Sequence, residues 1–200
     1  MDYTTLSLSE VRAGISELIP DVEATFSSLD TRQLNWKPDA ARWSVAQCFD
    51  HLLEMNALML QAAADALDAT KPRSVWQRLP LLPSLLGPMM VRSQSPQARR
   101  RNTSPAPGRP SSGEISPDIV QRFLDQQRTL VASLQAADEH HASRSVMASP
   151  FIKVICYSVL DGWRLVFAHG RRHVDQARRV LAEPAFPNTN RQTPVPGSQR

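Results

Sequence analysis

Four stretches of this 200-residue chain repeat apolar residues every three or four positions, the spacing of one face of an α-helix. Each stretch opens with a helix-start signal: Ser7 with Glu10, Ser44 with Gln47, Ser116 with Pro117, and Ser158 with Asp161. The four apolar patterns continue to about Leu29, Ala69, Leu134 and Val180, respectively. No segment strongly predicts a strand. The one β-like run, residues 151–160, adjoins the fourth helix and is assigned to a helix. The pattern predicts an all-α fold.

The connection between the second and third helices is long and holds nine of the sixteen prolines. Its first half is apolar enough to pack, with short helices expected near 74–80 and 83–91. Its second half is polar and is expected to be a loosely draped loop. Four helices with one such connection predict a four-helix bundle with a crossover. We expect one domain over residues 1–182, a Pro/Arg-rich loop at about 92–115 and a disordered tail over 183–200.

The composition is that of a soluble globular protein, with 42% hydrophobic residues and no long apolar run. Without a long apolar run no membrane span is expected. The N-terminus has no basic start followed by an apolar stretch, so no secretory signal is expected and the predicted compartment is the cytoplasm. The two cysteines, Cys48 and Cys156, are too few for a disulfide framework.

The basic excess is concentrated in one region. The net charge is +4, and no acidic residue lies between Asp68 and Glu114, where eight lysines and arginines occur. Such a cluster can meet nucleic acid through phosphate contacts. However, no aromatic residue lies between Trp76 and Phe123, so a base-stacking platform is missing there. A solvated loop is the favoured interpretation, and nucleic-acid binding is not expected.

The segment AHGRRHVDQARRVL places His169 and His173 four residues apart on the apolar seam of the fourth helix. Gly170 stands where a zincin-type protease has glutamate, which argues against that class. The pair can bind one metal ion, face a groove or fill a core. The solvated back of the helix is expected to carry Arg164, Arg171, Arg172, Arg178 and Arg179.

His51 lies at the edge of the apolar stripe of the second helix. Antiparallel packing of the second and fourth helices would bring it opposite His169 and His173. From the residues alone, both a three-histidine metal site and a set of hydrogen-bonded core histidines stay open. His140 and His141 lie in a polar helix end or loop and are not expected to bind a metal ion.

Three motifs together resemble the DinB-like superfamily. RWSVAQCFDHLLEMN is similar to its second-helix signature, AHGRRHVDQARRVL to its fourth-helix signature, and NWKPDAARWSVAQ to its usual lead-in. The resemblance spans roughly residues 30–182. It implies a four-helix bundle in which His51, His169 and His173 bind one divalent metal ion and leave positions open for water or substrate. Zinc and nickel are the first candidates, with iron and manganese as alternatives.

We make separate predictions for the residues near the three histidines. Gln47, where many relatives have glutamate, is expected to be the capping partner of Ser44. Cys48 is expected to be a buried thiol. Asp50 and Glu54 are expected to form a solvated pair. Asp161 and Gln176 are candidates to orient the ligating histidines, since such histidines usually donate their other N–H to a neighbour.

The resemblance leads to two functional hypotheses. In the first, the protein is a metal-dependent enzyme, either a transferase that uses a low-molecular-weight thiol such as bacillithiol or mycothiol, or a hydrolase of small molecules. Arginines of the 92–109 loop would then bind the carboxylates of the thiol. In the second, it is a non-catalytic metal-binding or stress-response bundle that acts through protein partners or its own copy, as a homodimer.

Overall fold

The computed structural model describes residues 1–78, 82–98 and 108–187. In these residues there are seven α-helices, two short strands and two 3-10 helices. Their bounds are a 3-10 helix Tyr3–Thr5, α1 Leu8–Phe26, α2 Thr31–Asn35, α3 Val45–Leu67, a 3-10 helix Trp76–Arg78, α4 Leu82–Gln94, α5 Ile119–Gln135, α6 Glu139–Arg144, β1 Val146–Ala148, β2 Cys156–Ser158 and α7 Val159–Leu181.

The four longest helices form the bundle. α3 packs against α5 and α7, and α1 packs against the same two helices. α3 and α7 run antiparallel, because the Tyr157 hydroxyl just before α7 meets the Met59 sulfur near the end of α3, while His51 near the start of α3 meets His169. The prediction of an all-α fold is confirmed. α4, inside the crossover connection, packs on α7 and on β2.

Most of the predicted helix starts are confirmed. Ser7 and Ser44 each form a full capping box with the residue three positions on, and the Ser158 side chain accepts from the Asp161 N–H. The third helix is different, since α5 begins at Ile119 rather than at Pro117. The Ile119 N–H donates to the Ser116 carbonyl and closes a turn, so residues 116–118 precede the helix.

The expectation of a helix across residues 151–160 is wrong except for residues 159 and 160, which begin α7. Cys156–Ser158 forms β2, which pairs antiparallel with β1 so that Met147 faces Tyr157. The Ser149 N–H donates to the Ile155 carbonyl at 2.7 Å and closes the loop between the strands. Because this ladder uses the backbone hydrogen-bonding groups of 156–158, the helix starts only at Val159.

The structure describes part of the connection and the first residues of the tail. The 3-10 helix Trp76–Arg78 and α4 agree with the short helices expected near 74–80 and 83–91, apart from residues 79–81, which lie outside the described residues. Phe186 is buried edge-on against Trp36, with ring centroids 5.6 Å apart, so the chain still packs just after α7. Residues 99–107 of the predicted loop and 188–200 of the predicted tail lie outside the described residues. None of the described helices is long and apolar enough to cross a membrane.

Candidate metal centre

The structure brings His51, His169 and His173 together between α3 and α7. One ligand atom from each lies within 4.8 Å of those of the other two. The Nε2 atoms of His51 and His169 are 3.2 Å apart, and the three ring centroids are 4.5 to 5.0 Å apart. The exposed fractions of the three residues are 2%, 5% and 8%. The predicted juxtaposition is therefore present, and it is buried.

The local sequence explains this arrangement. His169 and His173 are one turn apart on α7 and so project from the same face. His51 lies less than two turns after the Ser44 capping box, which sets where α3 begins. Antiparallel packing then places the start of α3 beside the C-terminal half of α7, so the His51 ring lies against the rings of His169 and His173.

A backbone carbonyl determines the tautomer of His51. Nδ1 of His51 contacts the carbonyl oxygen of Gly108, which can only accept a hydrogen bond. Nδ1 therefore carries the proton, and Nε2 of the neutral ring presents its lone pair toward His169. Ligating histidines commonly donate their other N–H to a backbone carbonyl in this way.

Burial keeps the three imidazoles neutral at physiological pH. Desolvation is the main cause that lowers the pKa of each ring, to about 3 for His173 and well below the usual value for His169. The other histidines of the cluster and Arg172 act in the same direction on His169. The hydrogen bond with the Gly108 carbonyl raises the pKa of His51 and so partly opposes the effect of burial. A hydrogen bond with the Gln176 side chain does the same for the pKa of His173. Neutral imidazole is the form that binds a metal ion.

These shifts predict an acid-sensitive metal-free protein. Below pH 6.5, the unfolded chain binds protons at these histidines that the folded chain does not bind, so stability falls as pH falls. We expect the free energy of unfolding to drop from pH 6.5 to 5.5 by about 1 kcal/mol for each histidine that stays neutral. Urea titrations at the two pH values measure this. In His173→Leu the drop should be smaller, and an unchanged drop would contradict the assignment.

Trp43 packs on the histidine cluster. Its ring is stacked on His173 with centroids 5.5 Å apart and an interplanar angle of 19°, and it lies 5.0 Å from the His51 ring. Trp43 directly precedes the Ser44 cap, so the start of α3 positions it over the two rings. We did not assign it a role from the sequence, although its place beside the cap was the available signal.

The residues present fit a metal ion. Two nitrogens bound tetrahedrally to one zinc ion lie about 3.3 Å apart, and the His51 and His169 Nε2 atoms are 3.2 Å apart. Nδ1 of His173 is buried without a hydrogen-bond partner. A buried polar nitrogen without a partner costs on the order of 1–3 kcal/mol, which a core histidine would normally avoid. The 3.2 Å distance also fits a hydrogen bond between the two rings, so the unpartnered Nδ1 of His173 is the feature that favours a binding site over a hydrogen-bonded core cluster.

Residues 108–112, which we call the strap, are held across the start of α3. The Ser111 N–H donates to the Asp50 carboxylate at 2.8 Å, and the Gln47 side-chain amide donates to the Ser111 carbonyl at 2.9 Å. Asp50 is half-exposed and also binds the strap, which the sequence did not predict, whereas Glu54 is exposed as expected. Gln47 caps α3 as predicted and also binds the strap. These contacts hold the Gly108 carbonyl at His51.

Loosening the strap should weaken metal binding. In Asp50→Ala the Ser111 N–H loses its acceptor, and the Gly108 carbonyl is held less firmly against His51. We expect zinc affinity to fall by about tenfold, the low end of the effect of losing a partner of a ligand. Competition with a chromophoric chelator measures the affinity. Glu54→Ala, one turn further along the same helix, is the matched control, and equal losses in both variants would rule out a role for the strap.

The cluster lies in a cavity of about 1400 Å³. Arg172 and Arg179 line this cavity. Arg179 is exposed as expected, whereas the expectation that Arg172 lies on the solvated back of the helix is wrong. Arg172 is half-buried because α4 covers that side, and its guanidinium donates to the Ser93 carbonyl at 3.1 Å. Arg109 also lines the cavity, whereas Lys71, Arg73, Arg78 and Arg92 are exposed and do not.

The other candidate residues lie away from the cluster or only beside it. Cys48 is fully buried, its pKa is raised by desolvation to about 12, and it does not line the cavity. Asp161 pairs with Arg164 at the start of α7 and does not orient either histidine. Gln176 lines the cavity next to His173. His140 and His141 are exposed on α6, as expected.

Comparison with known proteins agrees with the motifs. The sequence model of the DinB superfamily matches residues 15–177 of the chain. No curated protein and no solved structure matches the chain significantly. The match runs from the middle of α1 almost to the end of α7 and includes all three clustered histidines. The chain therefore belongs to the DinB superfamily.

Proposed function

We propose that this protein binds one divalent metal ion through His51, His169 and His173 and uses it on a small molecule. The observation that carries the proposal is the buried trio of neutral imidazoles whose nitrogens converge within 4.8 Å. Zinc and nickel are the proposed ions, with iron and manganese as alternatives, because all four accept imidazole. A divalent ion with three imidazole ligands supplies Lewis acidity and lowers the pKa of a bound water or thiol.

The chain's own residues prepare the site for such an ion. The Gly108 carbonyl keeps the His51 proton on Nδ1, so Nε2 is ready to bind without a change of tautomer. Trp43 excludes water from one side of His173 and limits the rotation of its ring. Because the two α7 histidines are rooted in a continuous helix, their spacing does not depend on a loop.

The reaction we propose is thiol-dependent transfer or metal-assisted hydrolysis. The cavity beside the histidines is large enough for a small-molecule substrate. Arg109 and Arg172 line it at the level of the cluster, where they would bind the carboxylates of a low-molecular-weight thiol. The substrate would approach the ion from this cavity.

A second candidate is a non-catalytic metal-binding bundle. Among the lining residues that the structure describes there is no Asp or Glu, so no carboxylate is available as a general base. Tyr157 is a poor substitute, because burial raises its pKa to about 12. In this alternative the bound ion would serve stability or recognition by a protein partner.

Metal analysis of untagged protein tests the proposal. We expect about one equivalent of a divalent ion per chain, and none in the double variant His169→Ala/His173→Ala. The double variant His140→Ala/His141→Ala is the matched control, since it also removes two neighbouring histidines but from the exposed helix α6. If the untagged protein takes up no ion even after incubation with each of the four metals, the site is not a metal centre.

Turnover separates the two candidates. A screen of thiol transfer and ester or amide hydrolysis should find an activity that the metal-loaded protein has and His169→Ala lacks. Stoichiometric metal binding without turnover of any substrate in the screen would favour the non-catalytic bundle.

A further inference from the structure

We propose that the cavity binds an elongated, amphipathic anion, with its acidic group toward the Arg179 end and its apolar part toward Leu165 and Tyr157. This inference deepens the proposed function by naming a substrate class, and it rests on that function for its chemistry. The argument comes from the order of the lining residues along the bundle axis and from their charge.

Residues on α7 change character on passing the histidines. Leu165 and Val166 line the cavity one turn before His169, and Gln176 and Arg179 line it one and two turns after His173. At 1.5 Å per residue, Leu165 and Arg179 are about 21 Å apart along the helix. His169 and His173, with Arg172 between them, lie between an apolar end and an end that is polar and cationic except for Val180.

α3 shows the same division in reverse order, as antiparallel packing requires. Gln47 lines the cavity one turn before His51, and Met55 and Met59, with the polar Asn56 between them, line it one to two turns after. The Tyr157 hydroxyl reaches the Met59 sulfur, so the apolar ends of the two helices coincide. Met90 and Phe151 also line the cavity and pack on the core cluster that contains Met59, Tyr157 and Leu165, and Ile152 lines it next to Phe151.

The charge of the cavity has one sign. The basic residues that line it are Lys37, Arg42, Arg109, Arg172 and Arg179, and no acidic residue is among the described lining residues. Arg42 is paired with Glu183, and Arg172 is half-buried against α4. Lys37, Arg109 and Arg179 are exposed. A cavity with cations and no carboxylate attracts anions and disfavours cations.

The size of the cavity also fits an elongated, amphipathic anion. The cavity volume of about 1400 Å³ exceeds the usual range of small-molecule sites, about 300–1000 Å³. A compact anion such as acetate would leave the apolar end empty, and a neutral apolar molecule would make no charge–charge contact with the cationic end. A chain with one acidic end satisfies both ends.

Calorimetric titration with three probes tests the inference. The probes are decanoate below its micelle concentration, the decylammonium ion of equal chain length, and acetate. The full chain is titrated without metal, so that a carboxylate cannot bind through the ion, and then with zinc. We expect metal-free protein to bind decanoate at least about tenfold more tightly than either other probe. Equal affinity for decanoate and decylammonium would overturn the inference.

Two pairs of variants locate the ends of the ligand. Arg179→Gln should weaken decanoate binding about tenfold, whereas Arg122→Gln, on the exposed face of α5, should change it less than twofold. Ile152→Ser should weaken it about threefold or more, whereas Val154→Ser, in the same loop but outside the lining, should not. All four positions are exposed, so folding is not at risk. Equal effects within each pair would overturn the inference.

Metal content of the same samples separates this inference from the proposed function. Selective binding of decanoate by protein that takes up no metal would support the ligand class and reject the metal centre. Stoichiometric zinc without a preference for decanoate would reject the ligand class and leave the metal centre intact.

Discussion

Saturating zinc should raise the melting temperature of this protein by roughly 5–11 °C. An ion at 100 times its dissociation constant stabilises the folded state by about 2.7 kcal/mol, and each kcal/mol shifts the melting temperature of a domain of this size by about 2–4 °C. The ion would occupy a site that is costly without it, because three neutral imidazoles are buried and Nδ1 of His173 has no hydrogen-bond partner. Differential scanning calorimetry of chelator-treated protein, with and without zinc, measures the shift.

Two variants connect this shift to the cluster. His169→Ala should show no shift, because it removes one of the three ligands and the nearest neighbour of His51 Nε2. His140→Ala/His141→Ala should shift as the parent does. A full shift in His169→Ala would place the stabilising ion elsewhere. Nickel should act in the same direction, since it also accepts imidazole ligands.

Phe49→Ala should lower the free energy of unfolding by about 3–5 kcal/mol. The Phe49 side chain is fully buried, and its ring packs edge-on against Phe26 of α1 and at an angle on Phe123 of α5, with centroids 5.1 Å apart in both cases. It therefore joins three helices of the bundle. Truncation leaves a cavity that rigid helices cannot close.

Urea titration at pH 7.5 measures the effect of Phe49→Ala. Leu58→Ala, on the exposed side of α3, is the control, and it should cost less than about 1 kcal/mol because this leucine is already 37% exposed. A loss below about 1 kcal/mol for Phe49→Ala would contradict the packing described for the start of α3. Because Phe49 precedes His51 by two residues, the Phe49→Ala variant should also bind zinc less tightly.

The sequence predicted the features that depend on local periodicity and capping. The capping boxes at Ser7 and Ser44 and the cap at Ser158 were predicted from two residues each, because these hydrogen bonds form within one helical turn. The metal-ligand candidates His51, His169 and His173 could be proposed from helix faces and family motifs. The start of α5 was missed because a turn at Ser116 competes with the cap.

By itself the sequence determined that the chain is helical, where three of its four long helices begin, and which histidines share a face, since these depend on residues a few positions apart. Only the tertiary structure decided what surrounds the histidines. The Gly108 carbonyl at His51 and the guanidinium groups of Arg109 and Arg172 come from elements far apart in the chain or on covered faces. The pairing of β1 with β2 also became visible only in the structure. Such contacts depend on how helices and loops pack, and no local pattern encodes that packing.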